Sequence, residues 1–406
     1  MPVARSARPV TWRISTTPVV EFRFVPAFSA DVVRALDLPD VEVRLAAVER
    51  AMVTSMPTPD EEIWRYSRIA ELDLDRFQPS IATTTVSGPE GLQVDELAGD
   101  DRASVQISGD PDVFDELHEA FRRSVVLRIP AGRVVGQPIV VDHVVEGDGV
   151  AVFPRLVVDA GPDSEVTVIE RFVSADGAAS LVVPQVHLRA AQAARVRYVG
   201  VNLLGSSAWQ IASQRALGER DSTVSLATVA LGGDYARVRT DARLDGTGAT
   251  ARQVALYYAD GDQMHDFRTV QDHAAPRTNS DLLFKGAVQD RSRSVYTGLI
   301  RIRADAKGSV AFQTNRNLTL SKGAWAESVP NLEIETNDVR CSHASTIGPI
   351  DDEQRFYLES RGVPPEVAER LVVLGFFDEV LAQLPAGGFV DDLRARVQRK
   401  LDRRVA

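Results

Sequence analysis

The chain has 406 residues, 44% of them hydrophobic and 25% charged, with a formal charge of −11 and one cysteine. This fits a soluble chain of two or three domains with a large core. It excludes an internal disulfide and weighs against a nucleic-acid surface, since phosphate neutralisation needs a basic face. No stretch approaches the ~18 uninterrupted apolar residues of a membrane span. The N-terminal "MPVARSARPVTWRISTTPVV" has no apolar signal region, so a cytoplasmic location is expected.

Residues 1–124 read as mostly helical and irregular. In "TPDEEIWRYSRIAELDLDRF", Thr58 can cap a helix, Pro59 suits its first position and Glu61 completes a capping box. Ile63, Trp64 and Ile69 would then join a buried stripe. The Gly- and acid-rich "SGPEGLQVDELAGDD" reads as a surface loop.

From residue 125 to 343 the pattern changes to short valine-rich runs alternating with polar residues, as in "SEVTVIERFV", "ARVRYVGVNL" and "STVSLATVAL". That is the pattern of strands and turns. Val166, Val196, Val224, Val254, Leu282 and Val310 recur at spacings of 30, 28, 30, 28 and 28. Such a period predicts a β-solenoid in which these six side chains stack on one inward position. A β-sandwich would need two-residue hairpin turns. Asp245-Gly246 and Asp260-Gly261 are the few candidates.

Residues 344–406 read as a helical domain. "DDEQRFYLESRG" has acids in its first turn and Gly362 as a stop. A longer helix follows over Pro364 to Leu384, with Val367, Leu371, Leu374, Phe377, Val380, Leu381 and Leu384 at helical spacing. The closing "RARVQRKLDRR" reads as a solvated helix end.

Chemistry is sparse. There is no phosphate-binding G-x-x-x-x-G-K-[ST], no G-x-S-x-G, no H-E-x-x-H and no paired C-x-x-C. Cys341 and His343 are two residues apart, and on a strand both project to one face. A thiolate and an imidazole suit iron or zinc, but two donors make an incomplete site. A buried thiol beside an ordinary histidine is the plainer account. His265 and His273 flank several acids, and side chains that tie neighbouring coils together explain them better than a metal does.

"DHAAPRTNSDLLFKGAVQDRSRSVYTGLIRI", "QTNRNLTLS" and "DVRCSHASTIGPIDDEQRFYLESRGV" resemble the SufB/SufD family of iron–sulfur cluster assembly proteins, closely over residues 255–382. "EEIWRYSRI" looks like the family's N-terminal helix. The resemblance implies a right-handed parallel β-helix flanked by helical ends. It also implies a non-catalytic scaffold that pairs with a SufB-like paralogue and an ABC-type ATPase, SufC. Ser321 stands where SufB-type chains carry a sulfur-accepting cysteine, and Ala344 follows Ser342-His343 where they carry glutamate. Both departures point to the SufD branch. By the same resemblance His343 and Cys341 face the partner and supply part of the ligand set of a nascent iron–sulfur cluster. The chain alone would hold no permanent cofactor, and self-pairing is open to it in isolation. Leu374, Phe376, Phe377 and Val380 are the expected contacts for the ATPase, on a two-helix unit packed against the end of the solenoid. A β-helix polysaccharide lyase or hydrolase is the alternative from another class.

Overall fold

Alternating side chains and valine-rich strands lead to stacked coils. In a computed structural model, which describes residues 10–13, 27–91, 94–95, 105, 111–385 and 388–403, most strands lie parallel in two sheets of ten and twelve. The chain passes from one sheet to the other in each coil, winding a parallel β-helix of about eight turns. Asp245-Gly246 and Asp260-Gly261 lie at the corners between sheets, not in hairpins. A Cβ on Gly246 would sit 1.9 Å from the backbone nitrogen of Arg220 on the coil before, so only glycine fits.

The inward column holds for its first three members. Val166, Val196 and Val224 are directly in register, each at most 1% exposed. It then runs on through Ala251, Ser280, Ala311 and Cys341, not through the other three positions expected. Val254 pairs with Ala227 and Leu283 and turns outward beneath a helix. Leu282 faces inward, but in the next column, paired with Gln253 and Gln313. Val310 pairs with Asn279 on the outward side and is half-buried. The coils differ in length because their corners do, and a shift of one residue turns a side chain to the opposite face.

Helices α1 (Ala30–Ala35), α2 (Val41–Val53) and α3 (Val113–Phe121) precede or enter the solenoid. The helix expected from Thr58 does not form. The Thr58 N–H does donate to Glu61 Oε1 (2.8 Å), as a capping box requires. Three separate 3₁₀ turns follow, Glu62–Trp64, Ile69–Glu71 and Leu74–Arg76, with Tyr66 left-handed at φ 65° between the first two. The carbonyls a helix would use are taken by the solenoid: Arg237 Nη2 donates to Ile63 O (2.5 Å), and Arg268 Nη2 to Arg65 O. The Arg237 guanidinium also lies 3.9 Å from the centre of the Trp64 ring. Trp64 and Ile69 are buried as expected, whereas Ile63 is exposed. In the expected surface loop, Val94–Asp95 pair antiparallel with Arg123–Ile129, and residues 92–93 and 96–101 lie outside the described residues.

Antiparallel strands close the N-terminal end: Thr83–Gly88 against Ile139–Val145, and Val10–Arg13 against Thr83–Gly88. The C-terminal region has three helices, not two: α4 (Asp352–Ser360), α5 (Pro365–Leu381) and α6 (Gly388–Arg403). They pack on the side of the solenoid rather than its end. Val373, Phe377, Val380 and Leu381 of α5, with Leu393, Val397 and Leu401 of α6, join Val254, Leu256, Tyr258 and Leu283 of the ten-stranded sheet in one cluster. Each such side chain contributes about 1.5–3 kcal/mol by burial, enough to fix the helices there. Among the described residues no helix is long and apolar enough to cross a membrane.

Candidate functional site

Side packing of the helices leaves the far end of the solenoid bare. The ten-stranded sheet ends at Val339–Gly348, paired only with Ser309–Thr319. The twelve-stranded sheet ends at Trp325–Ile334, paired only with Arg293–Ile302. Each last strand has an edge of backbone N–H and C=O groups that no further strand among the described residues covers. Such an edge is a template for another strand. Leu332 and Ile334 occupy inward positions above Ile300 and Ile302, yet they are 41% and 42% exposed because no coil follows. Ile347, above Asn317, is 43% exposed for the same reason.

Cys341 and His343 lie on this final strand, in register with Ala311 and Gln313. Cys341 ends the first inward column and rests on the cluster of Ile300, Ile302, Ala306 and Ala311. Partial burial raises its thiol pKa, so it is a protonated thiol at neutral pH rather than an activated thiolate. His343 ends the second column and is exposed. Alternation puts both on the open face, as the i, i+2 spacing predicts. No group of three or more His, Cys, Asp or Glu that could hold a metal occurs among the described residues. Two donors at an uncovered end are therefore what this chain offers.

His265 and His273 lie elsewhere, fully buried inside the solenoid. His273 braces one corner between the two sheets: its Nδ1 meets Thr278 Oγ1 at 2.7 Å and its Nε2 meets Ser280 Oγ at 2.8 Å, and Thr278 Oγ1 in turn meets Ser309 Oγ of the next coil at 2.8 Å. Burial lowers the pKa of His265 to about 3 and of His273 to about 4, so both are neutral. The acids beside them are engaged by arginines, Asp266 with Arg237 and Arg268, and Asp272 with Arg303.

Of the four residues expected to dock a partner, Phe377 and Val380 are fully buried within the chain. Leu374 and Phe376 are half-buried against the same cluster. Lys285 Nζ holds this turn of α5, donating to Phe376 O (2.8 Å) and pairing with Glu379 (2.6 Å). The exposed apolar surface lies one helix face away: Phe356 (70%) and Tyr357 (59%) on α4, and Leu371 (47%) and Val367 (38%) on α5. A cleft of about 800 Å³ opens between them and the solenoid, lined by Lys285, Arg316, Tyr357, Leu371 and Phe376 among others. The aromatic pair of "FYLES" is exposed, and helical periodicity gives no sign of it because it marks only buried faces.

Fold and end together define a parallel β-helix whose last coil is uncovered among the described residues, with Cys341 and His343 on that coil. The sequence agrees with a known class of this kind. Residues 143–376 match the model of the SUF system FeS cluster assembly SufBD core domain. An iron-sulfur cluster assembly SufBD family protein of Mycobacterium tuberculosis is 32% identical over 86% of this chain and 90% of its own length. The iron-sulfur cluster assembly protein SufD of Escherichia coli is 29% identical over 80% of this chain and 77% of its own. That of Bacillus subtilis is 28% identical over 68% and 63%. This chain belongs to the SufBD family of iron–sulfur cluster assembly proteins.

Proposed function

We propose that the chain is a SufD-type, non-catalytic scaffold subunit of an iron–sulfur cluster assembly complex. It pairs through its open last coil with a SufB-like paralogue, and together they hold the nascent cluster as cargo at the seam. The observation that carries this reading is the uncapped coil itself: an unpaired edge on each sheet, inward apolar residues left exposed, and Cys341 and His343 among them. The family supplies the chemistry. Ser321 and Ala344 favour the SufD side, since a serine hydroxyl cannot carry a persulfide as a thiolate does. His343, exposed, is the better placed donor, and Cys341 a weaker second because its thiol holds its proton.

Without a phosphate loop, an energy-driven cycle needs a separate nucleotide engine. An ABC-type ATPase seated on α4 and α5 supplies it, contacting Phe356, Tyr357, Leu371 and the half-buried Phe376 and Leu374. Phe377 and Val380 support that surface from beneath. The polysaccharide-cleaving alternative has no observation in its favour.

The test is co-expression with a SufB-like chain and the ATPase, followed by native mass measurement and cluster loading. Assembly of all three is expected, with His343→Ala preserving assembly and lowering loaded iron and sulfide at least fivefold. A complex that assembles and loads normally with His343→Ala and Cys341→Ser combined would remove the site from the scheme.

A further inference from the structure

Solenoid interiors are usually apolar, and the first inward column here obeys that rule over its early coils. The second does not. It runs Val168, Tyr198, Leu226, Gln253, Leu282, Gln313 and His343, each in register with the next. On the opposite sheet Gln214, Thr240, Thr269 and Gly298 form a matching polar column, with Gln271 beside Thr269. Gln253, Gln271 and Gln313 are at most 2% exposed. Both carboxamide atoms of each lack a hydrogen-bond partner among the described residues. An orphaned buried polar atom gives up its hydration for nothing in return, so six left dry would oppose folding strongly. These groups must be satisfied by something small enough to enter between coils.

The remaining polar groups of the interior connect them. Glu170, fully buried, accepts from Tyr198 Oη (2.6 Å) and meets His143 Nε2 (2.9 Å). Gln214 Oε1 accepts from Thr240 (2.9 Å), and Thr269 Oγ1 meets Tyr296 Oη (3.0 Å). Between Glu170 and Gln214 lies an internal cavity of about 20 Å³ lined by Tyr198, Gly200, Asn202, Gln210 and Thr228, room for one water molecule. Leu282 interrupts the second column on one wall, and opposite it the bare backbone of Gly298 admits two polar groups: a Cβ there would lie 2.3 Å from Tyr296 Oη and 2.5 Å from Gln313 Nε2. From Glu170 to His343 the polar groups follow one another through six coil-to-coil steps, roughly 29 Å at the usual strand spacing.

We propose that the interior of the solenoid is a water-binding file, bridged by Gln253, Gln271 and Gln313, that runs from Glu170 and opens at the last coil beside His343. Water is its ligand because carboxamides, hydroxyls and one carboxylate offer both donors and acceptors in spaces too small for a larger solute. A partner seated on the last coil would close the mouth of the file. That consequence rests on the pairing reading, whereas the file itself does not.

The isolated full-length chain therefore serves for the test. With glutamine selectively ¹⁵N-labelled, carboxamide protons of Gln253 and Gln271 are expected to exchange with D₂O at least tenfold faster than the slowest backbone amides of the same strands. Gln313→Leu, or Gln313→Met if the leucine variant does not fold, should plug the file and slow that exchange at least tenfold. A crystal structure should show ordered water bonded to all three carboxamides. Exchange as slow as the backbone core, or carboxamides packed dry, overturns the file. Unchanged exchange in the Gln313 variants overturns its opening at His343.

Discussion

Lowering the pH from 8 to 6 is expected to weaken the folded chain by about 3 kcal/mol, through histidines far from the candidate site. His118, His187, His265 and His273 are all buried, and burial holds each well below its ordinary value, His265 at about 3 and His273 at about 4. Val105 N–H donates to His187 Nδ1 (3.0 Å) and so needs that nitrogen bare, whereas Pro154 O at His118 Nε2 (3.2 Å) favours a proton and is outweighed by burial and the charge of Arg155. In the unfolded chain each ring titrates near 6.5, so the unfolded state binds more protons. Their contribution is complete above that pH and is lost as pH falls toward the folded values. At pH 6 the loss is about 0.8 kcal/mol per histidine. Asp112 acts in the opposite sense, because burial and then the charge of Asp115 raise its carboxyl to about 6. The folded state takes up that proton first, returning about 0.4 kcal/mol. Urea unfolding followed by tryptophan fluorescence reads the balance, with a midpoint roughly 1 M lower at pH 6 for a slope of about 3 kcal/mol per molar. His265→Leu should remove about a quarter of the difference. A midpoint that is unchanged or higher at pH 6 would refute the reasoning.

Gly246→Ala, which drives a Cβ into the Arg220 backbone, should cost about 2 kcal/mol or more in thermal unfolding. Gly136→Ala, with nothing within 4 Å of its added carbon, should be close to neutral. Trp64→Ala removes the ring under Arg237 and its contact with Phe114, 5.6 Å between ring centres, so a loss of about 3–5 kcal/mol and faster proteolysis near residue 64 are expected. Phe356→Glu combined with Leu371→Glu should lower ATPase co-purification at least tenfold with an unchanged melting temperature. Retained binding by that variant would place the ATPase elsewhere. Cutting the chain after Gly348 is a poor test of the same idea, since it would bare Leu256, Tyr258 and Leu283, which α5 and α6 cover.

Strand character, coil stacking and the common face of Cys341 and His343 were legible because alternation and short-range spacing are local properties. The full column was not. Valine marks it only at 166, 196 and 224, and small residues continue it at Ala251, Ser280 and Ala311, so an eye that follows valine leaves for Val254. The placement of α5 was hidden because apolar residues lie on more than one of its sides, Phe377 inward and Leu371 outward. The segment after Thr58 carries every local signal of a helix and still does not form one. Its carbonyls are claimed by Arg237 and Arg268, which no local window contains. The open end was equally unreadable, since nothing in the last strand announces that no coil follows it.

The clasp between Trp64 and Arg237 also sets an order of events at the ribosome. Ile63 and Arg237 are 174 residues apart, and Arg65 and Arg268 are 203 apart. At about 5–20 residues per second, the early segment waits roughly 10–40 s before its anchoring arginines are synthesised. Throughout that interval Trp64 has Phe114 to meet, but the carbonyls of Ile63 and Arg65 lack the guanidinium groups that hold them, while the coils nearest the N-terminus can already stack. The nascent chain therefore carries an unanchored segment until its solenoid is more than half made. A segment translated early is among the last to be fastened.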